Sequence, residues 1–187
     1  MYIVSWPRSG HHLLESWLAS YYRKIQRPYS YCEYYLCCNS YPCKKGRLFQ
    51  KIHDFTAEGP LGGAWTIDRM APIIVMYRKD KIAQLEAGYR LQYGNNFEQT
   101  CTQEKNRLQV DYKRNGPLDY TGEHKSHKEP AIEYIRKTLP TLKKWIRVWD
   151  HQYTGQKVVL HYEDMTSEPA ATLAKVLRAC LPGEEIS

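Results

Sequence analysis

No apolar run in these 187 residues approaches the roughly 20 that a membrane-spanning helix needs, and no signal-peptide pattern opens the chain. The G-x-x-x-x-G-K-[ST] loop of the nucleotide triphosphatases is missing, and so is any clear carboxylate pair for a magnesium ion. An arginine-rich arm, a zinc-finger spacing and an RNP-type sequence are all absent, which argues against a nucleic-acid module. The cysteines lack the paired C-x2-C spacing of common zinc sites. Four of the six stand as C-x4-C-C-x4-C, at Cys32, Cys37, Cys38 and Cys43. Reduced thiols are the default in a cytoplasmic protein, with local disulfides as the alternative. These absences lead us to expect a cytoplasmic protein with no membrane span, no metal and no nucleic-acid partner.

What is present is globular in character. Hydrophobic residues make up 42% of the chain and charged residues 25%, too apolar for a disordered segment. The length suits one domain, 1–187, with a sizeable core. Lys and Arg number 27 against 20 Asp and Glu, a net charge of +7 that favours an anionic ligand such as a nucleotide or a polyanionic acceptor.

Short apolar runs alternate with helical periodicity along the chain. Tyr2 to Ser5 is β-branched and reads as a core strand. Leu13, Leu14, Trp17, Leu18, Tyr21, Tyr22 and Ile25 then recur at three and four, which predicts an amphipathic helix from His11 to Ile25, with Pro28 ending it. The Tyr- and Cys-rich 28–46 stretch reads as an irregular excursion with a short helix around Glu33–Cys37. Arg47 to His53 alternates and reads as a second strand. Pro72 to Arg78 is almost continuously apolar, as a strand buried on both faces requires, and a helix from Asp80 to about Tyr93 follows with Ile82, Leu85 and Tyr89 inward. Residues 94–130 are polar and weakly periodic, the pattern of a lid or acceptor segment. Helical spacing returns from Ala131 to Trp149, where Pro140 is expected to kink or divide the helix. Lys157 to Tyr162 is another buried strand, and Thr166 or Ser167 is expected to cap the last helix. This order predicts a three-layer α/β/α domain with a mostly parallel central sheet.

In such folds ligands bind beyond the carboxyl ends of the strands. Trp6-Pro7-Arg8-Ser9-Gly10-His11-His12 lies there, where a strand turns into a helix. A helix N-terminus offers backbone N–H groups and the positive end of the dipole to an anion. Gly10 allows close backbone approach, Ser9 adds a hydroxyl and Arg8 a charged fork. His53 and Arg78 also fall at or just after strand ends, so three polar residues converge on one rim.

With those segments in view, the chain resembles the sulfotransferases that use 3′-phosphoadenosine 5′-phosphosulfate (PAPS). Trp6 to His12 resembles the family's 5′-phosphosulfate loop, Y-P-[KR]-S-G-[TN]-[TN/H]-W, with Leu13 in place of the Trp and histidines after Gly10. Lys51-Ile52-His53 resembles the K-x-H segment that supplies the base, and Val75 to Gln84 the 3′-phosphate segment. Leu160 to Met165 resembles the late strand ending in Y-E-D. The family's Ser on the helix after Arg78 is missing, with Gln84 or Glu86 nearby, and its R-K-G-x-x-G-x-W-K segment is not among these residues. Basic residues of 94–130 are expected to cover the 3′-phosphate instead.

The resemblance implies a P-loop nucleotide-hydrolase-like sulfotransferase fold and transfer of the sulfuryl group from PAPS to a small-molecule or glycan hydroxyl. His53 is the expected base, Arg8 the residue at the leaving phosphate, and Lys51 a group that steadies the sulfonate. Pro7, Arg8, Ser9, Gly10, His11, His12 and Arg78 are the expected nucleotide contacts. Two other readings remain open at this level: a nucleotide-binding kinase or hydrolase of related architecture, and a basic binding protein without catalysis.

Overall fold

The computed structural model describes residues 1–33, 37, 42–52, 72–93 and 131–181. Its centre is a five-stranded sheet in the order β2-β3-β1-β4-β5. The strands are β1 (Tyr2–Ser5), β2 (Tyr31–Glu33), β3 (Phe49–Ile52), β4 (Ile73–Tyr77) and β5 (Lys157–His161). Every pairing is parallel, so the sheet is parallel throughout rather than mostly so. Helices α1 (His11–Lys24), α2 (Lys81–Tyr93), α3 (Ala131–Ile146), α4 (Tyr162–Ser167) and α5 (Pro169–Cys180) surround it.

Strand alternation sends neighbouring residues into two separate cores. Ile3, Ile74, Met76 and Leu160 pack with Leu14, Leu18 and Tyr22 of α1 and with Val176 and Leu177 of α5. Val4, Ile73, Val75 and Tyr77 pack on the other face with Leu85 of α2 and Leu142 and Trp145 of α3. Three layers result. All five residues of β4 are buried, which is why its sequence is apolar without a break.

Several expectations are corrected. The 28–46 stretch contributes an edge strand, β2, where the sequence suggested only irregular chain and a short helix; Glu33 ends that strand. Helix α1 ends at Lys24, one residue short of the Ile25 expected, with Gln26 in a left-handed conformation (φ 54°). Ile82 is exposed rather than inward. Pro140 does not divide α3, because Leu142, Trp145 and Ile146 just beyond it are buried and hold the helix to the core. The winding changes later, in a π-helical turn at Arg147–Gln152, where the Tyr153 N–H donates to the Val148 carbonyl. Lys157 Nζ donates to the carbonyls of Asp150 and Tyr153 and satisfies the end of that turn. Strand β5 ends at His161, so Tyr162-Glu163-Asp164 opens the short helix α4 instead of closing a strand. Thr166 does not cap α5; its hydroxyl donates back to the Tyr162 and Glu163 carbonyls, and Glu168 occupies the cap position.

Among the described residues no helix is long and apolar enough to cross a membrane.

Candidate functional site

The strand order sets the location. From β1 the chain crosses to β2 and β3 on one side, then returns past β1 to β4 and β5 on the other. Helix α1, leaving β1, packs on one face of the sheet, and α2, leaving β4, packs on the opposite face. The carboxyl ends of these two adjacent strands therefore splay into the crevice where open α/β sheets take their ligands. The 6–10 loop follows β1 and Arg78 follows β4, so both lie at that point.

The loop is strained and held in place from several sides. The Trp6 N–H extends the β1–β4 ladder by donating to the Met76 carbonyl, and the Trp6 ring sits edge-on to Trp145, with centroids 5.8 Å apart. Arg8 adopts φ 64°, a left-handed conformation that a non-glycine residue rarely takes, and Gly10 adopts φ 89°. The Gly10 carbonyl accepts the Leu13 and Leu14 N–H groups, so the helical ladder of α1 starts there. By the geometry of any helix start, the N–H groups of the first turn point along the axis toward the loop.

Gln84, buried on α2, spans the crevice. Its Nε2 donates to the Pro7 carbonyl at 3.0 Å, and its Oε1 accepts the Arg78 N–H at 2.9 Å. Arg78 in turn donates from Nε to the Arg8 carbonyl at 2.9 Å, and its guanidinium lies 4.4 Å from the centre of the Tyr162 ring. That ring also covers Gly10, where a Cβ would lie 2.7 Å from Tyr162 Cδ2. Glu163 accepts the Lys79 N–H at 2.9 Å and the Asp80 N–H at 3.2 Å. Burial pulls its carboxyl upward, but these N–H donors and the Arg78 charge outweigh burial and leave it below the usual range. Inside this frame the Ser9 hydroxyl is fully buried and has no hydrogen-bond partner among the described residues. A buried hydroxyl in that state costs free energy unless a ligand oxygen meets it.

Two neighbouring features complete the rim. A cavity of about 340 Å³ opens beside the loop on the α2–α3 side, lined by Trp6, Pro7, Gln84, Gly88, Tyr134 and Lys137 among others. On the α1 side, the His11 and His12 rings lie 4.0 Å apart and tilted by 46°, and each presents a ring nitrogen within 4.8 Å of a Glu33 carboxylate oxygen. Glu33 is already paired with the ammonium of Lys51, which competes with any cation there.

The expected site residues thus fall into three groups. Pro7, Arg8, Ser9, Gly10 and Arg78 are brought together around the crevice. His11 and His12 open α1 beside Glu33. Lys51 is almost fully buried in β3, and its ammonium is engaged by Glu33 on the side of the rim that carries His11 and His12. His53, Cys38, Trp65 and the 94–130 segment lie outside the described residues.

Three contributors were not identified from the sequence. The Tyr162 ring over Arg78 joins segments far apart in the chain, and no local pattern signals it. Gln84 stands near the place of the family's Ser, a spacing that hinted at its position but not at its bridging of the Pro7 carbonyl and the Arg78 N–H. The Glu33–Lys51 pair depends on β2, which has no apolar run to reveal it.

Comparison with models of known families, with curated proteins and with solved structures finds no match to this chain. The fold class, an α/β domain around a parallel sheet, rests on the structure itself.

Proposed function

We propose that this chain is a PAPS-dependent sulfotransferase with a P-loop-like sulfotransferase fold, acting on the hydroxyl of a small molecule or glycan. The observation that supports this reading best is the buried Ser9 hydroxyl inside a loop braced by Gln84 and Arg78 at the switch point of the sheet. Such a cradle suits a tetrahedral anion, because an amide-rich helix start and a hydroxyl adjoin the Arg78 guanidinium there. The ring packed over Gly10 leaves room for backbone but not for a side chain.

PAPS would supply an activated sulfuryl group whose departure leaves adenosine 3′,5′-bisphosphate. Ser9 and the first-turn amides of α1, at His11 and His12, would hold the 5′-phosphate oxygens. Arg8 would stabilise negative charge developing at the leaving oxygen. Arg78 has one of its five donors committed to the Arg8 carbonyl and would bring the rest of the fork to the 3′-phosphate. The cavity beside Pro7 is large enough to take part of a nucleoside, with Lys137 on its wall. His53, directly after the last residue of β3, would accept the acceptor's proton; an imidazole of ordinary pKa ~6.5 is suited to that near neutral pH. Lys51 would serve by fixing Glu33.

Adenosine 3′,5′-bisphosphate tests the reading without a known acceptor. At a hundredfold excess over Kd, linkage adds about 2.7 kcal/mol. For a domain of this size that is a rise of roughly 5–10 °C in Tm. The His53→Ala variant is expected to keep this shift and lose sulfuryl transfer. Absence of any shift at millimolar ligand overturns the proposal.

A further inference from the structure

The cysteine pattern that fits no common spacing in the sequence converges in space. Cys32 lies on β2, paired across the ladder with Gln50, and is fully buried. Cys43 is also buried and arrives from the far side of the excursion, just before β3; Cys37 lies between them in the chain. One sulfur from each is within 4.8 Å of the other two, and Cys37 Sγ and Cys43 Sγ are 3.9 Å apart. Two thiolates on a tetrahedral zinc at ~2.3 Å sit about 3.8 Å from each other. A disulfide requires ~2.05 Å, and none of the three forms one.

Two backbone hydrogen bonds tie ligand residues to their neighbours. The Cys37 N–H donates to the Glu33 carbonyl at 3.0 Å, which ties that cysteine to the end of β2. The Gly46 N–H donates to the Cys43 carbonyl at 2.9 Å, closing a turn in which Gly46 takes φ 60°. That turn carries Lys44 and Lys45, both exposed, whose charges offset a surplus of thiolate over metal charge.

We propose that Cys32, Cys37 and Cys43 form a zinc-thiolate site that clamps the excursion between β2 and β3. Binding exchanges three thiol protons for one Zn²⁺ and leaves a fourth position on the metal. Three mutually adjacent sulfurs are what a metal uses, whereas a disulfide would engage two and strand the third. The clamp acts at the residue before Glu33, so it also sets the strand edge on which the Glu33–Lys51 pair depends. This site is separate from the phosphate cradle and does not rest on the sulfotransferase reading.

The test uses the full-length protein. Metal analysis after gel filtration is expected to find a single zinc ion per chain, and cobalt in its place should give the visible bands of a tetrahedral thiolate complex. Mass spectrometry after alkylation should show zinc protecting Cys32, Cys37 and Cys43. Cys180 is the control: burial pushes its thiol up to about 12, it touches Met1 rather than the cluster, and Cys180→Ser should keep the metal. Cys32→Ser should lose it. Because that variant could unfold, protection in the unmutated protein decides independently. Unchanged alkylation of the three cysteines with added zinc, or a Cys37–Cys43 disulfide in protein kept under reducing conditions, overturns the proposal.

Discussion

Gly10→Ala probes the cradle most directly, because two costs can be read from one residue. At φ 89° the backbone sits in the left-handed region, where an L side chain costs about 1–2 kcal/mol. The added Cβ would also stand 2.7 Å from Tyr162 Cδ2, closer than real Cβ contacts, so the ring must rotate away. Moving an aromatic side chain off its rotamer costs about 0.5–1.5 kcal/mol. The sum is roughly 1.5–3.5 kcal/mol, or a fall of about 3–14 °C in Tm for a domain this long. Denaturant unfolding of Gly10→Ala, Tyr162→Ala and the double variant separates the two costs. The steric part should vanish in the double variant and leave a coupling near 1 kcal/mol, while the backbone part persists. Tyr162 carries Arg78 against its face, so displacing the ring should also weaken binding of adenosine 3′,5′-bisphosphate. A Gly10→Ala protein that loses less than about 0.5 kcal/mol would refute both the left-handed loop and the ring packed over it.

Gln84→Leu should cost about 1–3 kcal/mol, because it leaves the Arg78 N–H and the Pro7 carbonyl without their partner; a neutral result in urea unfolding would show that Gln84 does not brace the loop. Lys51→Met should cost about 3 kcal/mol by stranding the Glu33 carboxylate, and adding Glu33→Gln should restore much of it; a stable Lys51→Met protein that fails only in turnover would return Lys51 to the catalytic role first expected of it. Acidification should lower stability through His161. Burial pushes its pKa down, outweighing the Asp164 carboxylate and assisted by the Lys79 charge. The folded state then binds fewer protons than the unfolded chain between that lowered value and the ordinary ~6.5. Stability is therefore complete above pH ~6.5 and falls through that window. Tm measured across pH 5–8 for the protein and for His161→Gln checks this, and identical profiles would remove His161 as the cause.

The parts of the fold that could be read from the sequence are those whose burial is uniform. Residues 73–77 are enclosed on both faces and so must be apolar throughout. The face of α1 carrying Leu14, Leu18 and Tyr22 is equally plain, because one side of that helix alone meets the sheet. β2 escaped because an edge strand of three residues, Tyr-Cys-Glu, needs only one buried position. At Pro140 the helix is not divided, because large side chains packing immediately after it hold both parts to the core. At the site, Pro7-Arg8-Ser9-Gly10 was visible because a left-handed glycine before a helix leaves a sequence mark. The contacts that hold it leave none, since Gln84 and Tyr162 reach it only through the tertiary fold.

That asymmetry bears on how the loop can work. A loop carrying left-handed φ at both Arg8 and Gly10 would not keep this shape by itself. It is held by Trp6 in the core, by Gln84 from α2, by Arg78 from β4 and by the Tyr162 ring from α4. These supports come from both faces of the sheet, and none of them uses the Ser9 hydroxyl. The strain is thus offset by packing and hydrogen bonds elsewhere, and the buried hydroxyl stays uncommitted among the described residues. A cradle built this way needs little reorganisation when an anion enters, which is the condition under which fixed dipoles stabilise developing charge most effectively.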